Sequence, residues 1–206
     1  YGVVSGKKNV FFTNNDSAYE SAFCLHNKGI NVEAIIDIRE SSNSMIVKAV
    51  EEAGIKIHWS HTIVDTSGYK RLNGISAMKL SNDGLSVTGN KINISCDCLG
   101  VAGGWTPAVH LFTQSGGKLK FDENDKIFLP NKYPSEQLSV GSCNGDFKLK
   151  EIINNLSINL KQFLKVNETD FDNILIEGEE ENSKRNIWLL PSDKPIGKTK
   201  PFVDYQ

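Results

Sequence analysis

Several features that define other protein classes are absent from this 206-residue chain or scarce in it. The four cysteines are too few and too scattered for the disulfide framework of a small secreted domain. No apolar run approaches the ~20 residues that a membrane-spanning helix needs. A net charge of −2 provides no basic field of the kind that attracts nucleic acid. These absences predict a cytoplasmic protein without a nucleic-acid or membrane partner.

Glycine is missing from the place where the sequence pattern would otherwise require it. A strand-like run at residues 8–13 leads into the turn Asn14-Asn15-Asp16-Ser17, a helix pattern, and a second apolar run that ends at Asp37. Strand, tight turn, helix, strand and acid form the first half of a dinucleotide-binding unit. No G-x-G-x-x-G occurs anywhere in the chain. The topology therefore indicates a nucleotide-type domain, whereas the turn lacks the usual pyrophosphate cradle.

Two interpretations of this turn stay open on the sequence alone. In the first, a phosphate is held by backbone N–H groups at the helix start together with the side chains of Asn14, Asn15, Asp16 and Ser17. In the second, the same residues serve only as turn and helix cap, with Asp16 or Ser17 as the capping residue. Asp37 lies about 20 residues after the turn, where an acid would bind ribose hydroxyls. An acid that merely ends a strand is the alternative. Arg39 could meet a phosphate or pair with Glu40.

The remaining pattern predicts an α/β fold with a parallel sheet. A helix after residues 41–44 and a strand at 55–59 complete two β–α–β steps. Short β-type runs at 61–65, 74–80, 85–88 and 92–98, separated by glycine turns that include Gly89-Asn90, predict an antiparallel meander. A strand at 99–102, a short helix to residue 112, a hairpin at 121–129, a strand at 138–140 and a long helix at 147–163 follow. The acidic stretch 177–181 and the proline-containing end predict a linker or arm.

Two glycine-containing segments are further candidate ligand contacts. Gly103, Gly104, Trp105 and Thr106 follow a buried strand at its carboxyl end, where open α/β sheets bind ligands. The glycines permit close backbone approach, and Trp105 could stack on an adenine or fill a crossing between domains. Strand, glycine turn and helix start are also expected around residues 140–147, which makes the residues of that turn candidates for an anion contact: Gly141, Ser142, Asn144 and Gly145.

The sequence gives little indication of a metal site or of a catalytic nucleophile. Cys96 and Cys98 are two residues apart in a strand-like run, but a second pair of zinc ligands is not evident. Small apolar residues in a reducing compartment are the simpler interpretation. His58 and His61 end a strand rather than line a helix. Neither a catalytic residue nor a metal ligand is predicted.

Ordered motifs along the chain resemble one protein family. They are Thr13 to Tyr19, the stretch Gly103-Gly104-Trp105-Thr106-Pro107 continuing to Phe112, the stretch Gln114 to Leu119, and Lys200 to Gln206. Together they are similar to the alpha subunit of heterotetrameric bacterial sarcosine oxidase. This family is related in fold to the pyridine nucleotide-disulfide oxidoreductases, and Gly141 to Gly145 resembles the late glycine motif with which their first domain touches its dinucleotide.

The resemblance implies a central fragment of a longer subunit. Residues 1–102 would be an NAD(P)-binding-like Rossmann domain with its meander. Residues 103–165 would be the returning half of an FAD/NAD-type domain. Residues 166–206 would be a linker or arm towards a C-terminal aminomethyltransferase-like domain. In such an oxidase the beta, gamma and delta subunits are partners, NAD lies on the alpha subunit, and FAD and FMN lie mainly on the beta subunit or at the interface.

The resemblance also implies a function without a complete active site in this chain. Oxidative demethylation of sarcosine to glycine, with formaldehyde or methylene-folate and hydrogen peroxide as products, would take place in the holoenzyme. This part would supply nucleotide-domain scaffolding and subunit contacts. A self-standing NAD(P)-binding reductase and a ligand-free interaction domain are the alternatives.

Overall fold

The computed structural model describes residues 2–134, 136–167, 174, 184–187 and 189–195. Its contacts divide the chain into two units, which we treat separately. Unit 1 contains residues 2–104 with 184–187 and 189–195, and unit 2 contains residues 105–134, 136–167 and 174. The acidic stretch 177–181 and the final motif 200–206 lie outside the described residues. The predicted domain limits at 102/103 and 165/166 stay predictions.

Unit 1 alternates strands and helices before it becomes purely β. Its helices are α1 (Ser17–Asn27) and α2 (Met45–Glu52). Its strands are β1 (Lys8–Thr13), β2 (Asn31–Asp37), β3 (Ile57–Trp59), β4 (His61–Gly68), β5 (Leu72–Leu80), β6 (Val87–Ile94) and β7 (Cys98–Ala102).

A four-stranded parallel sheet with the order β3-β2-β1-β7 organises unit 1. Thr13 pairs with Asp37 on one side and with Ala102 on the other, so three strands end at the same level. The predicted parallel sheet is confirmed, and the antiparallel meander is confirmed as the separate sheet β4-β5-β6. The chain therefore has the α/β class expected from its sequence.

Both faces of the parallel sheet are covered. On one face Val32 and Ile35 pack with residues of α1 and α2, including Tyr19 and Val50. On the other face is a second cluster built from β1, β2 and the meander: Val10, Ala34, Ile36, Ile75, Ala77 and Cys96. Burial on both sides explains the nearly unbroken apolar run of β2. Burial also raises the pKa of the Cys96 thiol, which here packs as a small apolar residue.

Two local predictions in unit 1 were wrong. Gly89 lies inside β6 instead of ending a strand, because an irregularity in the β5–β6 pairing after Ala77 accommodates its positive φ of 77°. Asp16 is the residue before α1, but its carboxylate makes no capping bond. Asn15 provides the acceptor for the first helical N–H instead, because Asp16 pairs with a cation.

Unit 2 consists of a hairpin and helices. The elements are α3 (His110–Gln114), β8 (Lys118–Asp122), β9 (Ile127–Lys132), a 3₁₀ turn (Gly141–Asn144) and α4 (Leu149–Leu164). The hairpin is longer than predicted. The strand predicted at 138–140 is absent, because these residues run directly into the 3₁₀ turn. None of the helices in the described ranges combines the length and apolarity needed to cross a bilayer.

Candidate functional site at the carboxyl edge of the parallel sheet

The turn after β1 is held together by its own side chains. The Asn15 carboxamide oxygen accepts bonds from the Ser17 N–H at 3.0 Å and the Ser17 hydroxyl at 2.6 Å. Its nitrogen donates to Asn14 Oδ1 at 2.7 Å and to the Ala102 carbonyl, at the end of β7, at 3.3 Å. The Thr13 hydroxyl donates to the Asn15 carbonyl at 2.8 Å and receives the Asn15 N–H at 3.1 Å. The Asn15 and Ser17 N–H groups thus already have partners.

Two acids and one arginine form a buried cluster next to this turn. The Asp37 carboxylate is fully buried and receives the Arg39 main-chain N–H at 2.8 Å and guanidinium nitrogens at 2.7–3.1 Å. Arg39 Nη1 also lies 2.8 Å from Asp16 Oδ1, and Arg39 itself is 3% exposed. Arg39 therefore binds the two acids that flank the turn. Asp37, the acid predicted to bind a ribose, thus already accepts hydrogen bonds from Arg39.

Aromatic rings complete the cluster. The Tyr19 hydroxyl donates to Asp37 Oδ2 at 2.7 Å, and its ring stacks on Trp59 with centroids 6.0 Å apart. The Arg39 guanidinium carbon lies 5.7 Å from the Tyr19 centroid and 5.8 Å from the Trp59 centroid. Burial, followed by the negative charge of Asp37, raises the pKa of Tyr19 well above its ordinary value. Despite its burial, the bonds to Asp37 and Asp16 raise the pKa of Arg39.

The cluster has an excess of negative charge for a phosphate site. Two carboxylates face one guanidinium, and Asp16 Oδ2 is buried without a hydrogen-bond partner among the described residues. Asp16 stands at the N-terminus of α1, so its charge already offsets the positive end of the helix dipole. A diphosphate at this turn would meet further negative charge.

A segment from the far end of the chain lies across the same turn. The Arg185 N–H donates to the Asn14 carbonyl at 3.3 Å, and Asn14 Nδ2 donates to the Arg185 carbonyl at 3.1 Å. The Arg185 guanidinium donates to the carbonyls of Ile38 at 2.9 Å and Asn82 at 2.8 Å. The role of Arg185 could not be predicted from the sequence, because nothing local links residue 185 to residue 14. Tyr19 was not predicted as a site residue either, although its position one helical turn before Ala22 and Phe23 favoured burial.

The predicted glycine positions after β7 differ in whether their backbone conformation requires glycine. Gly104 has a φ of 106°, which favours glycine, and a Cβ added there would lie 3.9 Å from Asn14 Oδ1. Gly103 has no such φ, and a Cβ added there would meet nothing within 4 Å. In unit 2, Trp105 is 65% exposed and Thr106 is also exposed. The structure therefore places Gly103 and Gly104 at the edge of the parallel sheet, after β7.

The second glycine motif forms a compact turn in unit 2. Gly141 and Gly145 have φ values of 71° and 93°, and the Gly145 N–H donates to the Ser142 carbonyl at 3.2 Å. The predicted contact residues Ser142 and Asn144 lie inside the 3₁₀ turn. Helix α4 begins only at Leu149, so four residues separate the end of the 3₁₀ turn from the start of the helix. The expected strand–turn–helix arrangement is therefore absent at this site.

The described residues contain no group of three or more histidine, cysteine or acidic side chains that could hold a metal ion. The His58 and His61 rings are 5.6 Å apart in an edge contact, and His61 Nδ1 lies 2.6 Å from the Trp59 carbonyl. Burial, then the neighbouring cation of Lys56, lowers the pKa of His58.

Comparison with known proteins matches the chain to one kind of protein. No protein-family model matches it. Across its whole length it is 30% identical, over 217 residues, to sarcosine oxidase subunit alpha of Corynebacterium sp. (strain P-1). The chain resembles the alpha subunit of sarcosine oxidase. The alpha subunits of Corynebacterium sp. (strain U-96) and Rhizobium meliloti are 26% and 27% identical, again over the whole chain. The resemblance expected from the sequence motifs is confirmed.

The chain spans only part of the sarcosine oxidase alpha subunits, 22% of the length of the strain P-1 protein and 20% of the Rhizobium meliloti protein. One solved structure that matches the chain is thioredoxin reductase of T. acidophilum, with a TM-score of 0.46 and 17% identity over 67% of this chain and 47% of that one. Another is the flavoprotein disulfide reductase RclA of Escherichia coli, with a TM-score of 0.49 and 14% identity over 78% of this chain and 36% of that one. The fold assignment rests on the order of the parallel sheet in this chain.

Proposed function

We propose that this chain is the central part of the alpha subunit of a sarcosine oxidase. The observation that carries the proposal is the 30% identity to such a subunit across the whole chain. The oxidase would convert sarcosine to glycine, with formaldehyde or methylene-folate and hydrogen peroxide as products. Beta, gamma and delta subunits would be its partners, and NAD, FAD and FMN would be cofactors of the holoenzyme.

Within that enzyme the parallel-sheet unit would be a scaffold and contact domain instead of a cofactor-binding one. The buried cluster supports this role, because Asp37 is taken up by Arg39 and Tyr19, and Asp16 adds negative charge at the helix start. The exposed Trp105, with Thr106 and the glycines Gly103 and Gly104, is the segment that we expect to face the rest of the subunit. The turn from Gly141 to Gly145 would remain the candidate for a dinucleotide contact of the complete subunit.

A segment exchange tests the proposed enzyme. The segment of the strain P-1 alpha subunit that aligns with this chain is replaced by this chain, and the exchanged subunit is produced with the other subunits of that enzyme. We expect a complex that oxidises sarcosine and releases hydrogen peroxide. The matched control carries the corresponding segment of the Rhizobium meliloti subunit. If the control assembles and the exchange with this chain does not, the proposal is wrong.

A calorimetric titration tests the scaffold role separately. NAD added to this chain up to millimolar concentration should give no binding heat. Dissociation constants tighter than about 10 μM, equivalent to about −7 kcal/mol, would contradict the scaffold role. Such a result would leave the oxidase proposal standing, because that proposal depends on assembly rather than on this turn.

A further inference from the structure

The segment at residues 184–187, which we call the arm, is held against the carboxyl edge of the parallel sheet like a bound peptide. Two hydrogen bonds join its main chain to Asn14, one in each direction. This resembles one rung of a strand pairing, with the Asn14 carboxamide in place of a main-chain N–H. Such bonds recognise an extended peptide without specifying its side chains.

The guanidinium of Arg185 provides the specific contact. Its two terminal nitrogens donate to the carbonyl of Ile38, just after β2, and to the carbonyl of Asn82, in the turn between β5 and β6. These acceptors follow strands of different sheets, and one guanidinium bridges them. A lysine ammonium has three donors on one small, strongly hydrated group but lacks the rigid planar fork that fixes two acceptors at once. The pair of carbonyls therefore selects arginine over lysine.

Space for the residue two positions later is made by a glycine. A Cβ at Gly84 would lie 2.9 Å from Ile187 Cδ1, and Gly84 has a φ of 73°. Further along, Lys194 lies 2.7 Å from Asp65, and Asp193 lies 2.7 Å from Lys91. These exposed ion pairs connect the continuation of the arm to the meander, whereas Arg185 is the half-buried anchor.

We propose that the carboxyl edge of this sheet is a recognition groove for an extended peptide with arginine followed two residues later by isoleucine, and that the chain's own arm is its occupant. The groove is lined by Asn14, Ile38, Asn82 and Gly84. The inference is independent of the proposed oxidase function, since it concerns contacts within unit 1.

Hydrogen exchange on the full chain tests the arginine anchor. In R185A we expect the main-chain amide of residue 185 to exchange at least tenfold faster than in the unaltered chain. R185K keeps the charge but loses the fork, so it should also exchange faster, although less so than R185A. R71A removes an equal charge from an exposed site and should change nothing at residue 185. Unchanged exchange in both R185A and R185K would overturn the proposal.

Peptide binding in trans tests the groove itself. A fluorescent peptide with the sequence of residues 182–196 is titrated, up to millimolar concentration, against full-length R185A. We expect it to bind at least tenfold more tightly than the same peptide with alanine in place of arginine. It should also bind R185A more tightly than the unaltered chain, whose groove is filled. Equal binding of the two peptides, or no binding to an R185A chain whose arm is released, would overturn the proposal.

Discussion

Substitution of Asp37 by asparagine should destabilise the fold more than any other single isosteric change to an acid in unit 1. Asp37 is fully buried, and its two oxygens accept bonds from Arg39 and Tyr19. Asparagine keeps the shape but removes the charge, so the buried guanidinium would retain Asp16 as its carboxylate partner. Breaking a buried ion pair by removing one partner costs about 3–5 kcal/mol.

Thermal and denaturant unfolding can measure this cost. For a chain of this size each kcal/mol corresponds to about 2–4 °C in melting temperature, so D37N should melt roughly 6–20 °C lower. The matched control is D65N, whose exposed pair with Lys194 should contribute less than about 1 kcal/mol. A loss below about 1 kcal/mol in D37N would refute the assignment of Asp37 as an essential buried counter-charge.

A double-mutant cycle separates the ion pair from general disruption. R39M removes the cation and leaves Asp16 and Asp37 facing each other without it, so it should be strongly destabilising on its own. In D37N/R39M the guanidinium that D37N deprives of its Asp37 partner is also gone, so the combined loss should be smaller than the sum of the two single losses. Additive losses, within about 0.5 kcal/mol, would show that the two residues act separately.

Three further predictions concern titration and packing. Because burial raises the pKa of Tyr19, the unfolded state ionises first as pH increases, so stability should fall above about pH 10, and fewer than five tyrosines should ionise in the native chain. Burial lowers the pKa of His58, so the unfolded state binds the proton first and stability should fall as pH decreases through about 6.5. Gly74→Ala should cost about 1–3 kcal/mol because its Cβ would lie 2.8 Å from the Ile94 carbonyl oxygen, whereas Gly103→Ala should stay within about 0.5 kcal/mol.

Each of these predictions has a direct control. Absorbance at 295 nm during an alkaline titration should be the same for folded Y19F and the folded unaltered chain, and should differ only after unfolding. A difference between the two folded chains would contradict the prediction that Tyr19 stays protonated in the native state. H58Q should flatten the decline in stability between pH 7.5 and 5.5, and an unchanged slope would assign the decline to another group. Equal melting temperatures for the two alanine variants would contradict the packing argument at Gly74.

The sequence was most informative where local pattern and burial act together. The mostly apolar run at residues 8–14 predicted a strand covered on both faces. In β1, Phe11 packs against the cluster on the helix side, whereas Val10 belongs to the cluster on the meander side. Lys28 with Gly29, and Gly54, are residues of the types that commonly end helices, and α1 and α2 end within two residues of them. These features depend on neighbours along the chain, and their energetics can be judged from short windows.

Prediction failed where a distant residue decides the local outcome. Asp16 is a favourable capping residue by type, but a guanidinium at position 39 draws its carboxylate away, and Asn15 takes over the helix N–H. Gly89 predicted a turn, but the partner strand β5 accommodates it in an irregular pairing. Arg185 reaches Asn14 across 171 positions in the sequence, and nothing near either residue indicates that contact.

Glycine has two separate roles in a nucleotide-binding turn, and this chain distinguishes them. One role is to adopt a positive φ, and the other is to let a pyrophosphate approach the main chain. None of residues 14–17 has a positive φ, so the strand, turn and helix form here without any glycine. The fold of this turn is therefore compatible with the absence of glycine, and what the turn lacks is the room that glycine leaves for a pyrophosphate. With Asn15 bonded inward and Asp16 paired to Arg39, the edge is stable by itself. These contacts suit the proposed scaffold role, because side chains of this chain take up the groups that a nucleotide would otherwise contact.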